Sequence, residues 1–178
     1  CGYYGDPSHE CTCTPYQIRN YLAKISGPLM DRIDLHIEIM PVKYEDLMDT
    51  ELSDAESSGL EAIDADKPAP TPVRNSAVMR QEVEAARQIQ LERYQKEEIS
   101  YNSQLTPGLI KKYCSLDRET KKLLETAFHQ LSLSARAHHK IIKMGRTIAD
   151  LEGAEKIGLR HIAEAVRYRS LDKMYRGL

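Results

Sequence analysis

The sequence predicts a mainly α protein: a bundle of about five helices preceded by a short helix–turn–strand segment. Three observations predict it. Apolar residues recur at three- and four-residue spacing through most of residues 73–178, the period of a helix with one buried stripe. Thr14-Pro15, Thr106-Pro107, Ser134 and Gly153 punctuate the chain where helices should start or stop. The aromatic set is lopsided, with ten Tyr, one Phe and no Trp, so a core would be built from Leu, Ile, Ala and Met, as in helical bundles.

Taken in order, Cys1 to about Glu10 reads as loop, broken by Gly2, Gly5, Asp6-Pro7 and Ser8. Thr14 and Pro15 open a helix over 15–24 that would bury Ile18, Tyr21, Leu22 and Ile25; Ser26-Gly27-Pro28 ends it. Leu29–Asp34 is a short turn or a helical turn. Leu35–Ile39 alternates with period two, Leu35, Ile37 and Ile39 on one face and His36 and Glu38 on the other, so a half-buried strand closed by Pro41 is expected. One strand alone is unstable, which points to pairing neighbours upstream and, with the start at Cys1, to a piece of a longer chain. Residues 49–72 read as an acidic, proline-containing linker. Beyond it a long helix carries Val78, Val83, Ala86, Ile89 and Tyr94 and ends near Lys96. Thr106-Pro107 opens a short helix through Tyr113, and Leu116-Asp117 one with Leu123, Leu124, Ala127, Phe128 and Leu131 inward. Ser134 opens another, with Ile141, Ile142, Met144, Ile148 and Leu151 inward and Gly153 past its end. Ile162, Ala165, Val166 and Tyr168 mark a last helix, followed by Leu171–Tyr175.

The net charge of −2 conceals an asymmetry: nine acidic and no basic residues between Glu45 and Asp66, against twenty Lys/Arg and thirteen Asp/Glu from Thr71 to Leu178. A basic helical half can face nucleic acid or simply be a solvated surface. Lys111, Lys112, Lys121 and Lys122, two doublets on neighbouring helices, are the candidates for nucleic-acid contact. No apolar run reaches the roughly 18 residues that a membrane span needs, and no secretory signal is visible, so the expected location is the cytoplasm. The four Cys do not form an evenly spaced disulfide framework.

Four segments carry a resemblance: Cys1–Pro7 (CGYYGDP) with Cys11-Thr12-Cys13, Ser26–Asp34 (SGPLMDRID), Leu133–Ala137 (LSARA) and Arg146–Leu151 (RTIADL). Together they resemble the ComM/YifB family of magnesium-chelatase-like AAA+ ATPases, almost end to end, failing only in the acidic linker. Gly145 stands where Ala is usual. The resemblance implies that residues 1–48 are the C-terminal edge of the AAA+ core, with a remnant of its αβ layer, and 73–178 the helical lid. It implies a hexameric ring that hydrolyses ATP with Mg²⁺ and translocates on DNA during recombination or natural transformation.

The resemblance also assigns site residues. Arg32 matches the arginine finger supplied to a neighbouring subunit's ATP, a task that suits a side chain that stays protonated and donates in a planar fork. By itself the sequence also allows Arg32 to pair with Asp31 or Asp34. Arg136 matches the second sensor arginine; lying early in a helix, at the positive end of its dipole, it asks for a local anion. Cys1, Cys11 and Cys13, with His9 nearby, resemble a structural zinc knuckle with an incomplete first half, the family having another Cys two residues earlier. His138 and His139, adjacent on a helix, point about 100° apart and cannot chelate one ion together; Cys114 reads as a buried small hydrophobe and His161 as a packing or capping residue. The sequence contains no G-x-x-x-x-G-K-[ST] loop, so this chain alone should neither bind nor hydrolyse ATP well. Two other readings are a motor for Mg²⁺ insertion into a porphyrin and a non-enzymatic helical interaction module.

Residues 49–72 contain few apolar side chains, and loop-closure entropy changes slowly with length. Shortening the segment is therefore expected to leave the melting temperature of the helical part within a few degrees of the parent, as measured by circular dichroism.

Overall fold

Nearly every helix begins at a side chain that accepts a hydrogen bond from an otherwise orphaned amide. Thr14 caps α1 (Pro15–Leu22), where Gln17 completes the reciprocal box. Ser26 caps the single turn α2 (Gly27–Met30). Asn75 caps α3 (Ser76–Arg93), Thr106 caps α4 (Pro107–Tyr113), Asp117 caps α5 (Arg118–Gln130) and Ser134 caps α6 (Ala135–Leu151). In α7 (Leu159–Arg167) the His161 ring performs this role, accepting from the Gly158 amide at 2.9 Å. A 3₁₀ turn, Asn102–Gln104, lies between α3 and α4. At the far end of α6 the chain reverses through Gly153 (φ 67°), with Ala154 and Gly153 amides bonded back to the Ala149 and Asp150 carbonyls at 2.8 and 3.1 Å, a Schellman closure.

The computed structural model describes residues 1–37, 39, 42, 44 and 75–169. The predicted linker over 49–72 and the segment Leu171–Tyr175 lie outside the described residues. The chain divides into two units, Cys1–Cys13 with Glu38–Arg74, and Thr14–Ile37 with Asn75–Leu178. The seven helices given above, whose bounds lie among the described residues, belong to the second. Among the described residues no helix is long and apolar enough to cross a membrane.

The core of the larger unit is built where α6 meets α7, with α3, α4 and α5 packed around them. Ala137, Ile141, Gly145 and Ala149 recur every fourth residue on α6, all buried, and the lack of a side chain at Gly145 lets α7 approach closely. A Cβ built on Gly145 would stand 2.6 Å from Ile162 Cδ1, so the glycine is matched to the isoleucine seated over it. Leu124, Leu133, Ile157 and Ala165 complete the apolar centre.

Across this core runs a buried polar network. Asp150, 2% exposed, accepts from Arg93 Nη1 and Nη2 at 2.9 and 2.5 Å, Arg146 Nε at 3.0 Å and Asn102 Nδ2 at 2.8 Å. Arg146 spends its other donors on the Ala154 and Glu155 carbonyls at 2.6 and 2.8 Å. Tyr94 Oη and the Gln90 side chain hold Asn102 in turn. RTIADL is therefore a structural motif: its Arg and Asp stand four residues apart on one helix face and tie α6 to α3, to the 3₁₀ turn and to the loop before α7.

The mainly helical reading holds, but the helix–turn–strand segment is corrected. Among the described residues there is no strand. Leu35, Ile37 and Ile39, the expected inner face, are 49%, 64% and 84% exposed, whereas His36 is buried. Alternation alone cannot make a strand where no neighbour supplies a ladder. Instead of a ladder bond, the His36 amide donates to the Tyr168 carbonyl at 2.8 Å. The α1 stripe is also narrower than expected, with Leu22 buried, Tyr21 72% exposed and Ile25 37% exposed.

Removing one partner from a buried ion pair leaves an uncompensated charge, at a cost of about 3–5 kcal/mol. Asp150→Ala strands two guanidinium groups and an amide and is expected to destabilise the bundle by about that amount, read as a lowered urea midpoint at unchanged m-value.

Candidate functional site

The site that the larger unit builds is centred on the turn after α2. Pro28 and the Ser26 cap set this short helix, and Leu22 and Met30 anchor it by burial. The turn then projects Arg32, whose guanidinium is exposed and donates from Nη1 to the Pro28 carbonyl at 3.2 Å. Neither flanking carboxylate pairs with it. Asp34 is taken by Lys140 Nζ at 2.6 Å, and Asp31 stands 4.0 Å from the guanidinium of Arg169. Lys140 also donates to the Arg32 carbonyl at 2.6 Å, and Arg169 Nη1 donates to the Ile33 carbonyl. Cations from the bundle hold this turn.

Arg136 is exposed in the first turn of α6, two residues past the Ser134 cap, whose hydroxyl accepts from Ala137 N at 3.1 Å. Among the described residues no carboxylate lies within ion-pair distance of Arg136. Lys140 follows it by four residues and so shares its face of α6. The structure thus brings the Arg32 turn and Arg136 to one side of that helix. Sequence reasoning missed Lys140 and Arg169, and no local signal could have found them, because their partners lie more than a hundred residues away in the chain.

The four candidate lysines are all exposed but do not act alike. Lys112 pairs with Glu97 at 2.6 Å and lies over the Tyr113 ring; hydrogen bonds from Lys112 and then Tyr113 hold the Glu97 carboxyl below its ordinary pKa. Lys111 and Lys121 line a groove of about 700 Å³ between α4, α5 and α6, floored by Ile110, Leu124, Phe128 and Ile142. Cys114 lines this groove too, and burial pushes its thiol up to about 11, the behaviour of an inert core cysteine. His138 and His139 stand at its edge with ring centroids 5.7 Å apart; burial, then the neighbouring His139, lowers the pKa of His138. Its ring packs edge-on to Phe128. His161 packs and caps, with Nε2 3.0 Å from Glu152 Oε2.

In the smaller unit Cys1, Cys11 and Cys13 converge, their three Sγ atoms all within 4.8 Å of one another. Cys1 Sγ lies 3.5 Å from Cys11 Sγ and 3.4 Å from Cys13 Sγ. Three thiolates at Zn–S distances of about 2.3 Å and tetrahedral angles stand roughly 3.8 Å apart, so this spacing fits one soft cation. His9 does not join them: its ring stacks on Tyr3 at 4.7 Å and Nδ1 lies 3.1 Å from Ser8 Oγ.

Residues 73–169 match the family described as magnesium chelatase, subunit ChlI C-terminal, and residues 1–47 match magnesium chelatase, subunit ChlI. The chain is 35% identical over 91% of its length to the uncharacterized protein YifB of Salmonella typhimurium, and 35% identical over 93% of its length to the competence protein ComM of Haemophilus influenzae. YifB of Escherichia coli is 34% identical over 91% of the chain. The chain spans 28% of the length of each of these relatives. It belongs to the ComM/YifB family of magnesium-chelatase-like AAA+ ATPases.

Proposed function

We propose that this chain is the C-terminal part of a hexameric AAA+ motor that remodels DNA, driving branch migration during recombination or natural transformation. In this reading residues 1–48 close the motor domain and 73–178 form its lid. Arg32 reaches the γ-phosphate of ATP held by a neighbouring subunit, and Arg136 senses nucleotide through the lid. The observation that carries the reading is the arginine turn: Arg32 is exposed while both adjacent carboxylates are engaged by other cations. An arginine so placed keeps its charge available for a phosphate in trans, where charge develops during hydrolysis. Arg136, presented at a capped helix start on the same side of α6, is suited to the same kind of anion. The phosphate-binding loop and the Mg²⁺ ligands belong, in this reading, to parts of the whole protein outside this chain. The likeness to a competence protein favours DNA over a porphyrin as the object of the motor.

The test is ATP turnover by the full-length protein with and without DNA. Stimulation by DNA is expected; turnover indifferent to DNA but responsive to a porphyrin would assign the motor to chelation. Arg32→Ala is expected to leave nucleotide binding nearly intact and to cut hydrolysis by about 10³-fold. Partial recovery is expected on mixing it with a subunit unable to bind ATP. Wild-type turnover by Arg32→Ala alone would remove the assignment.

A second reading concerns the cysteines, and the convergence of three sulfurs favours it. Cys1, Cys11 and Cys13 hold a structural zinc ion, which cross-links the loop ahead of α1 and leaves one tetrahedral position for a ligand from elsewhere. Cobalt substituted for zinc is expected to give intense sulfur-to-metal charge-transfer absorption, lost in Cys11→Ser. An absence of that band in the parent protein would leave the three thiols without a metal role.

A further inference from the structure

We propose that Lys140 and Arg169 are positioning residues that make the Arg32 turn a rigid extension of the helical bundle. The inference rests on the reading of Arg32 as the residue that acts on a neighbour's ATP. Its grounds are four contacts from two separate places in the bundle. Lys140, on α6, donates to the Arg32 carbonyl and pairs with Asp34, both at 2.6 Å. Arg169, just past α7, donates to the Ile33 carbonyl and stands 4.0 Å from Asp31. The two cations thus grip consecutive carbonyls, those of Arg32 and Ile33, and hold the turn on both sides of the Arg32 side chain without using that side chain.

The chemistry of the two residues supports a holding role. Arg169 has no exposure, and a guanidinium is buried at a heavy cost unless charged or carbonyl partners surround it; the turn supplies the Ile33 carbonyl and the Asp31 carboxylate among them. The side chain of Lys140 is 18% exposed, so its ammonium bonds are shielded in part from water. The bond from the His36 amide to the Tyr168 carbonyl, at 2.8 Å, extends the attachment by one more residue on each side. Because Lys140 lies one turn beyond Arg136 on the same face of α6, a rotation of that helix carries both arginines together. Nucleotide sensed at Arg136 would then move Arg32 with it.

The test compares Lys140→Met, Lys140→Arg, Arg32→Ala and the double variant Lys140→Met/Arg32→Ala in the full-length protein, reading kcat and KM for ATP and the melting temperature. A displacement of about 1 Å in a reacting group can cost on the order of 10²-fold in rate. Lys140→Met is therefore expected to lower kcat by roughly ten- to a hundredfold with KM nearly unchanged. Lys140→Arg should restore most of the rate, and the double variant should be no slower than Arg32→Ala. A Lys140→Met protein that turns over at the parent rate while Arg32→Ala is impaired would overturn the positioning role and leave the assignment of Arg32 standing. Losses that multiply in the double variant would show that Lys140 acts elsewhere, which also overturns it. Parent-like turnover by Arg32→Ala would remove both readings together. Should Lys140→Met melt early, Asp34→Asn breaks the same ion pair from an exposed side chain, with the same expected loss and the same lack of additivity with Arg32→Ala.

Discussion

The carboxylate of Asp150 receives donors from two arginines and an asparagine, and the placement of the rest of the bundle depends on it. A charge removed from water is tolerated only where partners replace the lost solvation. Here those partners arrive from α3, from the 3₁₀ turn and from one turn back on α6 itself. Apolar contacts are undirected and would allow α3 to slide along α6. The bidentate Arg93–Asp150 pair does not, because two parallel N–H···O bonds fix both distance and orientation. Arg146 carries the constraint onward to the carbonyls of Ala154 and Glu155, and so sets the loop from which α7 departs.

That geometry reaches the arginine turn through α6 and α7. One end of α6 is held by the Asp150 network, and nearer its start the helix presents Arg136 and Lys140. The close packing of α7 over Gly145 delivers Arg169 at the end of the same assembly. The two residues that grip the turn are thus products of the core arrangement, although neither contributes to the apolar core. Electrostatics alone would hold the turn weakly at an exposed surface. The full burial of Arg169 and the partial burial of Lys140 change that balance, because shielded pairs are screened less by salt and water.

The lysines show how far a charge surplus can be read as a binding surface. The twenty Lys/Arg after Thr71 suggest one basic face, yet the fold spends them in different ways. Lys112 neutralises Glu97, Lys140 and Lys143 hold backbone carbonyls, and Arg93 and Arg146 are part of the core. Lys111 and Lys121 face a groove whose floor is apolar. Lys112, Lys140, Lys143, Arg93 and Arg146 are therefore engaged within the fold.

By itself the sequence determined the starts at Thr14, Thr106, Asp117 and Ser134, because a Thr, Ser or Asp ahead of a three/four apolar repeat acts locally, within four residues. Ser26, read as a stop, caps α2, and the Asn75 cap was not foreseen. It likewise contained the family motifs, and through them Arg32, Arg136 and the three cysteines as candidates. Period-two alternation in Leu35–Ile39 misled, since a strand exists only with a partner strand and the sequence of one segment carries no information about that partner. Nor could local pattern tell that Asp34 belongs to Lys140, or that Arg169 would be buried against Asp31 and Ile33. Those pairings span more than a hundred residues, and they form only once α6 and α7 have packed and brought distant charges within hydrogen-bond reach. The tertiary structure alone decided what leaves Arg32 exposed, because that depends on which cations reach its neighbouring carboxylates first.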